Sequence, residues 1–170
     1  MQVRRTPHLA LASLLAMLLA SSARSQATAP APAPVSALEG PFVEEDIQLE
    51  PFTGVQICLP YNVLIAPSDG NYSISMEASL DVLAGLTAKV TDGTLQLETD
   101  ADFVTDQPIK LTVFVPSDRL QSILVTSPLS QVTLAPGFHL TSFSINNGYN
   151  AANAILLGLK TRFLNVISSG

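Results

Sequence analysis

Three phrases of similar pattern, about twenty residues apart, decide the predicted fold: LQSILVTSP at Leu120–Pro128, LTSFSINNG at Leu140–Gly148 and FLNVISSG at Phe163–Gly170. Each phrase has two apolar residues separated by one position and followed by small or polar residues. Aligning Ile123 with Phe143 and Leu164 gives offsets of 20 and 21 residues. A repeat of this length is typical of solenoids, in which each unit is one coil that stacks on the next. The last third of the chain is therefore predicted to form stacked β-coils.

The positions that should face outward from these coils are polar and uncharged. Between Leu120 and Gly170 the only Lys, Arg, Asp or Glu residues are Lys160 and Arg162. Uncharged side chains suit strands that stack about 4.8 Å apart, because like charges directly opposite each other are destabilising. A β-sandwich with a strand every ten residues or so is the alternative interpretation. The outward positions are Gln121, Ser122, Thr126, Ser142, Ser144, Asn146 and Asn165.

The preceding part of the chain alternates apolar and polar residues with the period of β-strands. Apolar residues occupy every second position from Val55 to Ile65, and Pro60 divides this run into two predicted strands. Further strands are predicted over YSISMEA and over IKLTVFVP, in which Leu111, Val113 and Val115 share one face. Asp-Gly pairs at 69–70 and 92–93 predict tight turns, and the second pair predicts a hairpin. LDVLA at 80–84 fits a single helical turn that Gly85 limits.

The N-terminus has the pattern of a secretory signal peptide. Arg4 and Arg5 precede an apolar run from Leu9 to Ala20, which is too short to span a bilayer. Small residues before Gln26 then predict cleavage after residue 25. Residues 26–38 are rich in Ala and Pro, which alternate in APAPAP at 29–34, and they predict a stiff linker. The predicted organisation is thus a signal peptide at 1–25, a linker at 26–38 and a β-domain at 39–170.

The net charge and the cysteine content limit which functions and covalent links are possible. Five basic and fourteen acidic residues follow position 25, which gives that part of the chain a net charge of −9. A strongly acidic chain is a poor candidate for binding nucleic acid, whose phosphates require a basic face. Cys58 is the only cysteine, so a disulfide within the chain is excluded and a free strand thiol is expected.

The order of these signals resembles the head GIN domain family of putative auto-transporter adhesins, a domain of unknown function. The resemblance covers roughly 42–170 and implies a right-handed parallel β-helix with antiparallel N-terminal strands, together with an adhesin-like role. The sequence departs from the family pattern in two places. The TSPLS segment at 126–130 replaces a small turn that contains glycine. The chain also stops where the family usually adds coils, so we expect a C-terminally incomplete domain. The matching segments are FTGV at 52–55, NVLI at 62–65, YSISME at 72–77, Leu86–Leu97, Val113–Ile123 and the final SSG.

The sequence offers few residues for catalysis or metal binding. His139 is the only histidine after the signal peptide, and no aspartate is near it in sequence, which argues against a catalytic triad. Asp100, Asp102 and Asp106 are weak candidates for a calcium site. Their spacing fails the EF-hand pattern, so a solvated loop is the favoured interpretation. No catalytic residue, resident metal or other cofactor is predicted.

Two functional hypotheses follow. The first is a secreted, non-enzymatic surface or matrix protein that binds an extracellular glycan or a cell-surface protein through its Ser/Thr/Asn-rich coil faces, with self-association through the open C-terminal coil. The second is a carbohydrate-active β-helix enzyme with a site near Asp100–Asp106. The expected location is extracellular or at the cell surface, or periplasmic or outer-membrane-associated in a bacterium, with no transmembrane span. Asn71 lies in an N-glycosylation sequon, which matters only in a eukaryote.

Overall fold

A computed structural model describes residues 41–100, 108–148 and 153–169. These residues belong to the unit Pro34–Gly170. The predicted signal peptide and linker lie outside the described ranges. The described part is mostly β-structure, which confirms the all-β class. It contains the strands β1 Phe42–Gln48, β2 Gly54–Ile57, β3 Asn62–Ser68, β4 Ser73–Ser79, β5 Leu86–Thr91, β6 Thr94–Thr99, β7 Lys110–Pro116, β8 Ser122–Val125, β9 Gln131–Leu134, β10 His139–Asn147, β11 Asn153–Leu156 and β12 Lys160–Ser168, with one helix, α1 Leu80–Ala84.

The strands form two six-stranded sheets. Sheet A has the order β1-β4-β7-β3-β9-β11, and sheet B has the order β12-β10-β8-β2-β6-β5. From β2 onward, the chain passes repeatedly from a strand of sheet B to a strand of sheet A: β2 to β3, β6 to β7, β8 to β9 and β10 to β11. The break at Pro60, predicted from sequence, is one of these passages.

Both sheets are mixed. The pairs β2–β6, β2–β8, β8–β10 and β10–β12 of sheet B are parallel, as are β3–β7, β3–β9 and β9–β11 of sheet A. At the opposite edges, β1–β4, β4–β7 and β5–β6 are antiparallel. The sequence predicted a parallel solenoid with antiparallel N-terminal strands. In the structure, each of the two sheets is mixed: it contains parallel pairs, and the strands from the N-terminal part of the chain pair antiparallel towards one edge.

The registers correct one alignment made from sequence. Phe143 pairs with Leu164, as predicted, but Ile123 pairs with Ile145 rather than with Phe143. The true offset between β8 and β10 is therefore 22 residues instead of 20. Side chains alternate with a period of two, so a shift of two residues leaves the same side chains facing inward. The apolar pattern alone could not distinguish these two registers.

Alternation along each strand builds one hydrophobic core from both sheets. In β7, Leu111, Val113 and Val115 are buried, as predicted. In β8, Ile123 and Val125 are buried, while Leu124 between them is half-buried and Ser122 before them is exposed. Burial of apolar area is the main favourable term in folding. Because the single cysteine is a free thiol, the fold is stabilised by apolar burial and backbone pairing rather than by a disulfide within the chain.

The two Asp-Gly turns differ in what they connect. Asp92 and Gly93 have φ values of 50° and 72° and join β5 to β6 as a two-residue hairpin, as predicted. The turn at Gly70, with φ of 111°, reverses the chain between β3 and β4, but β7 lies between these two strands in sheet A. Helix α1 ends at Gly85, whose backbone N–H donates to the Val82 carbonyl.

Candidate functional site

A row of small polar residues crosses the outer face of sheet B. Gly54 lies opposite Thr94 on one side and opposite Ser122 on the other. Ser122 is in turn opposite Ser144, and Ser144 is opposite Asn165. We call this row, from Thr94 on β6 to Asn165 on β12, the polar ladder.

A second row lies beside the polar ladder, two residues further along the strands. Gln96 is opposite Gln56, and Leu124 lies between Gln56 and Asn146. This flanking row is polar except for Leu124 and for Ile167 at its end. Neither row contains a charged residue. Over these five strands, the two rows together make an uncharged and mostly polar face, and on the sixth strand, β5, Lys89 lies opposite Gln96.

The local sequence explains why this face points outward. Val55, Ile57, Ile123 and Ile145 are at most 2% exposed, and the ladder residues occupy the intervening positions. Neighbouring strands in a sheet are about 4.8 Å apart, so the ladder presents polar groups at that repeat. The Asn165 side-chain amide approaches the Ser144 hydroxyl at 3.5 Å.

Gly54 is the closest-packed point of the polar ladder. A Cβ at this position would lie 3.0 Å from Oγ of Ser122 and 3.1 Å from Oγ1 of Thr94. Such distances are shorter than ordinary van der Waals contact, so a larger residue would push the two hydroxyl groups apart. Glycine thus allows the Thr94 and Ser122 side chains to approach each other over the strand between them.

Cys58 lies just beyond the end of β2, near this face. It is a free thiol, is half-buried, and has its Sγ 2.5 Å from Oγ1 of Thr126. The Thr126 hydroxyl also donates to the Ile57 carbonyl at 3.2 Å. The contacts place Cys58 in a side-chain network at the strand ends.

The other residues singled out from sequence are not gathered into one site. Asp100 is exposed, and its backbone N–H donates to the Gly85 carbonyl at 3.0 Å, whereas Asp102 and Asp106 lie outside the described residues. Within 41–100, 108–148 and 153–169, no three His, Cys, Asp or Glu side chains are close enough to hold a metal ion. His139 is exposed at the start of β10, opposite Lys160. Asn71 is exposed, and its carbonyl accepts a hydrogen bond from the Ser68 hydroxyl at 2.5 Å.

Two turns form a polar pocket that was not predicted from the sequence. The pocket has a volume of about 610 Å³ and combines the turn after β3 with the turn after β7. Its charged groups are the carboxylates of Asp69 and Asp118 and the guanidinium of Arg119, whose Nε is 3.6 Å from Asp118 Oδ1. Tyr72 lines the pocket and packs against Phe52 with ring centroids 5.2 Å apart. The only sequence signal was the turn predicted at Asp69-Gly70, and nothing in the sequence showed that it meets the turn after β7.

Comparisons with known proteins identify relatives in structure but not in sequence. No protein-family model matches the chain, and no curated protein matches it. The head GIN resemblance therefore stays a resemblance. A solved structure from Bacteroides fragilis described as a putative adhesin superposes with a TM-score of 0.71 at 20% identity, covering 79% of this chain and 62% of that one.

Two structures from Parabacteroides distasonis are also similar. One, described as a putative lipid binding protein, has a TM-score of 0.61 at 13% identity and covers 79% of this chain and 58% of its own. The other, a putative adhesin, has a TM-score of 0.52 at 12% identity and covers 79% and 65%. The chain thus spans less than two thirds of the length of each of these relatives. At such identities, the likeness shows a shared fold.

The described residues contain no helix that is long and apolar enough to cross a membrane.

Proposed function

We propose that this chain is an extracellular, non-enzymatic binding module whose polar ladder contacts a neutral glycan. The observation that carries the proposal is the continuous, uncharged polar face of sheet B, from Thr94 to Asn165. Hydroxyl and amide groups both donate and accept hydrogen bonds, as the hydroxyl groups of a sugar require. Five strands at about 4.8 Å intervals give a repeating row of such groups along which an extended polymer can lie.

The negative charge of the chain favours a neutral glycan over an acidic one. The chain carries −9 after position 25, so it repels acidic polymers at long range. The ladder itself adds no cation that would attract a carboxylate or sulfate. A neutral polysaccharide is therefore the ligand that we propose, with an uncharged protein surface on another cell as the second partner class.

The structural neighbours support a surface-binding role. Two of the three superposed structures are described as putative adhesins. The third is described as lipid binding, but a lipid chain would not gain from the polar ladder, because an apolar ligand needs apolar surface to be buried. Export by the signal peptide at 1–25, with a linker at 26–38, is the location that this role requires, and we propose it on the sequence pattern.

We further propose that the parallel strands wind as a right-handed β-helix. Strands β8, β10 and β12 are parallel neighbours in sheet B, and the connections between them pass through β9 and β11 of sheet A. Crossover connections between parallel strands are right-handed in about 98% of cases. Such winding keeps the polar ladder on one straight outer face.

Binding, rather than catalysis, is favoured by where the carboxylates lie. Glycoside hydrolysis uses two carboxyl groups flanking the bond that is cleaved. All fourteen acidic residues precede Leu120, and none belongs to the polar ladder or its flanking row. A sugar bound on the ladder would therefore meet no carboxylate from the ladder itself.

The test is a glycan array followed by a matched pair of double variants. Replacing both Ser122 and Ser144 by Ala removes two hydroxyl groups from the ladder, and at about 0.5–1.5 kcal/mol for each hydrogen bond the affinity should fall about 5- to 150-fold. The control replaces Thr112 and Thr133, which lie on either side of Leu64 on sheet A, and should leave affinity unchanged.

Two results would contradict the proposal. One is equal loss of affinity in both double variants, which would show that the ladder has no special role. The other is release of reducing sugar ends from the bound glycan that disappears in Asp102→Ala, because this would favour the enzyme hypothesis.

A further inference from the structure

The basic residues of this acidic chain are unevenly distributed. Lys160 and Arg162 are the only Lys, Arg, Asp or Glu residues between Leu120 and Gly170, and His139, the only histidine after position 25, lies opposite Lys160. Both cations are exposed, and neither forms an ion pair within the described ranges. The starts of β10 and β12 are therefore locally basic.

A bend in β10 turns its first polar side chains to the outer surface. Leu140 and Phe143 are both buried, so the period of two is interrupted between them, and Thr141 and Ser142 are both exposed. His139 is also exposed and points away from the core, since its neighbour Leu140 points inward. The start of β10 therefore presents His139 and Thr141 to solvent.

Strand β12 follows the same bend. Lys160 is opposite His139, and Thr161 is opposite Leu140. Directly opposite residues of parallel strands face the same side of the sheet, so Lys160 lies on the outer surface together with His139. Arg162 is the next exposed residue of β12. The two cations thus lie beside the His139 imidazole.

The two bends form a shallow pocket of about 340 Å³, which we call the basic pocket. Its polar side chains are those of His139, Thr141, Lys160, Thr161 and Arg162, and no carboxylate of the described residues lines it. The Thr161 hydroxyl donates to a backbone carbonyl at 3.0 Å. The Thr141 hydroxyl has no hydrogen-bond partner in the described part of the chain, so it is available to a ligand.

The acidic residue of the adjoining turn is already paired. The His139 backbone N–H donates to the Ser117 carbonyl at 2.9 Å, which brings the turn after β7 next to the basic pocket. The carboxylate of this turn, Asp118, has its Oδ1 3.6 Å from Nε of Arg119. The charge of Asp118 is therefore offset within its own turn, and the cations of the basic pocket remain unpaired.

We propose that the basic pocket binds a phosphate monoester. Arg162 offers a planar fork of N–H groups that matches two phosphate oxygens, and Lys160 adds a second positive charge. A phosphate monoester carries about −1.5 to −2 charges at pH 7, which two cations balance. Its third free oxygen can accept a hydrogen bond from the Thr141 hydroxyl. A carboxylate has one charge and two oxygens, so it would leave one of these cations unbalanced.

The charge of the whole chain restricts the ligand to a single anionic group. The net charge of −9 after position 25 repels a polyanion at long range, whereas one phosphate can be held by local contacts. The basic pocket also does not depend on what lies beside β12. Its side chains lie on the outer face of the sheet, and an added strand pairs with the edge.

The test is titration of the purified full chain with inorganic phosphate at constant ionic strength, followed through backbone amide chemical shifts. The shifts should saturate and should be largest at His139, Thr141 and 160–162. Shifts that do not saturate at the solubility limit of phosphate, or that centre away from the basic pocket, would overturn the proposal.

A matched pair of double variants separates the basic pocket from the net charge. Lys160→Gln with Arg162→Gln should weaken phosphate binding about tenfold or more, because both charge-assisted contacts are lost. The control, Lys89→Gln with Lys110→Gln, removes the same charge from β5 and β7 and should leave binding unchanged. All four side chains are exposed, so circular dichroism should show both variants folded. Equal loss of affinity in the two variants would refute a local site.

Two further probes identify what carries the phosphate. A hexose phosphate presents the monoester on a sugar, and phosphatidylcholine vesicles that contain phosphatidic acid present it at a membrane surface. The physiological carrier is the probe that binds more tightly than inorganic phosphate and loses this advantage when Lys160 and Arg162 are replaced. The basic pocket shares no residue with the polar ladder, so failure of this proposal would leave the proposed function standing.

Discussion

Replacing Ile123 by Ala should destabilise the chain far more than replacing its neighbour Leu124. Ile123 is 1% exposed and lies between Val55 and Ile145 in three parallel strands, whereas Leu124 faces outward and is half-buried. The Ile123→Ala change removes three carbon atoms, which at ~0.8 kcal/mol each is about 2.4 kcal/mol of lost transfer free energy. The cavity left between two fixed strands should raise the loss to about 3–4 kcal/mol.

Urea unfolding followed by circular dichroism measures the difference. At roughly 4 °C for each kcal/mol, Ile123→Ala should also lower the melting temperature by about 12–16 °C. Leu124→Ala should cost less than about 1 kcal/mol, as substitutions at partly exposed positions usually do. If Leu124→Ala were the more damaging change, β8 would be shifted by one residue relative to its neighbours and the inward row would be wrong.

Three further predictions concern single positions. Gly54→Ala should lose about 1–3 kcal/mol of unfolding free energy because its Cβ would crowd Ser122 Oγ at 3.0 Å, and adding Ser122→Gly should recover part of that loss. Gly93→Ala should lower the free energy of unfolding by about 1–2 kcal/mol because φ at this position is 72°, and Gly93→Asn should lower it less. Equal melting temperatures for the two variants would contradict this prediction. Burial raises the pKa of Tyr61 above 10.0, so the folded state keeps a proton that the unfolded state loses. Stability should therefore fall as pH rises past 10.0, and Tyr61→Phe should reduce that fall in alkaline urea titrations.

Period-two alternation was the reliable guide to the fold. It correctly divided the run at Pro60 into β2 and β3, and it identified the buried face of β7. The Asp92-Gly93 hairpin was also predictable, because two consecutive residues with positive φ strongly favour Asp-Gly. In each case, a local stereochemical preference agreed with the tertiary structure.

Three strands were not predicted from the sequence. β9 and β11 are only four residues long, which is too short for a period-two alternation to be recognised. They become strands because β3 and β9 offer free parallel edges. β1 was missed because three consecutive acidic residues hide its alternation. These segments form strands because they pair with strands that are distant in sequence, so local sequence patterns could not predict them.

The candidate site was predictable in composition but not in geometry. The outward positions Ser122, Ser144 and Asn165 were named from sequence, and they do lie on one row. Thr94 and Gly54 were not connected with them, because their strands belong to a different part of the chain and the sequence does not reveal that β2 and β6 join the same sheet. The turn pocket at Asp69 and Asp118 was hidden for the same reason.

The most direct test of the central claim, that the polar ladder is the binding surface, is to follow backbone amide chemical shifts while the chain is titrated with the glycan selected on the array. We expect the largest shifts to cluster on β2, β8 and β10, and the amide shifts around the turn pocket to stay unchanged. Shifts centred on Tyr72, Asp118 and Arg119 instead would contradict it and would make the turn pocket the site.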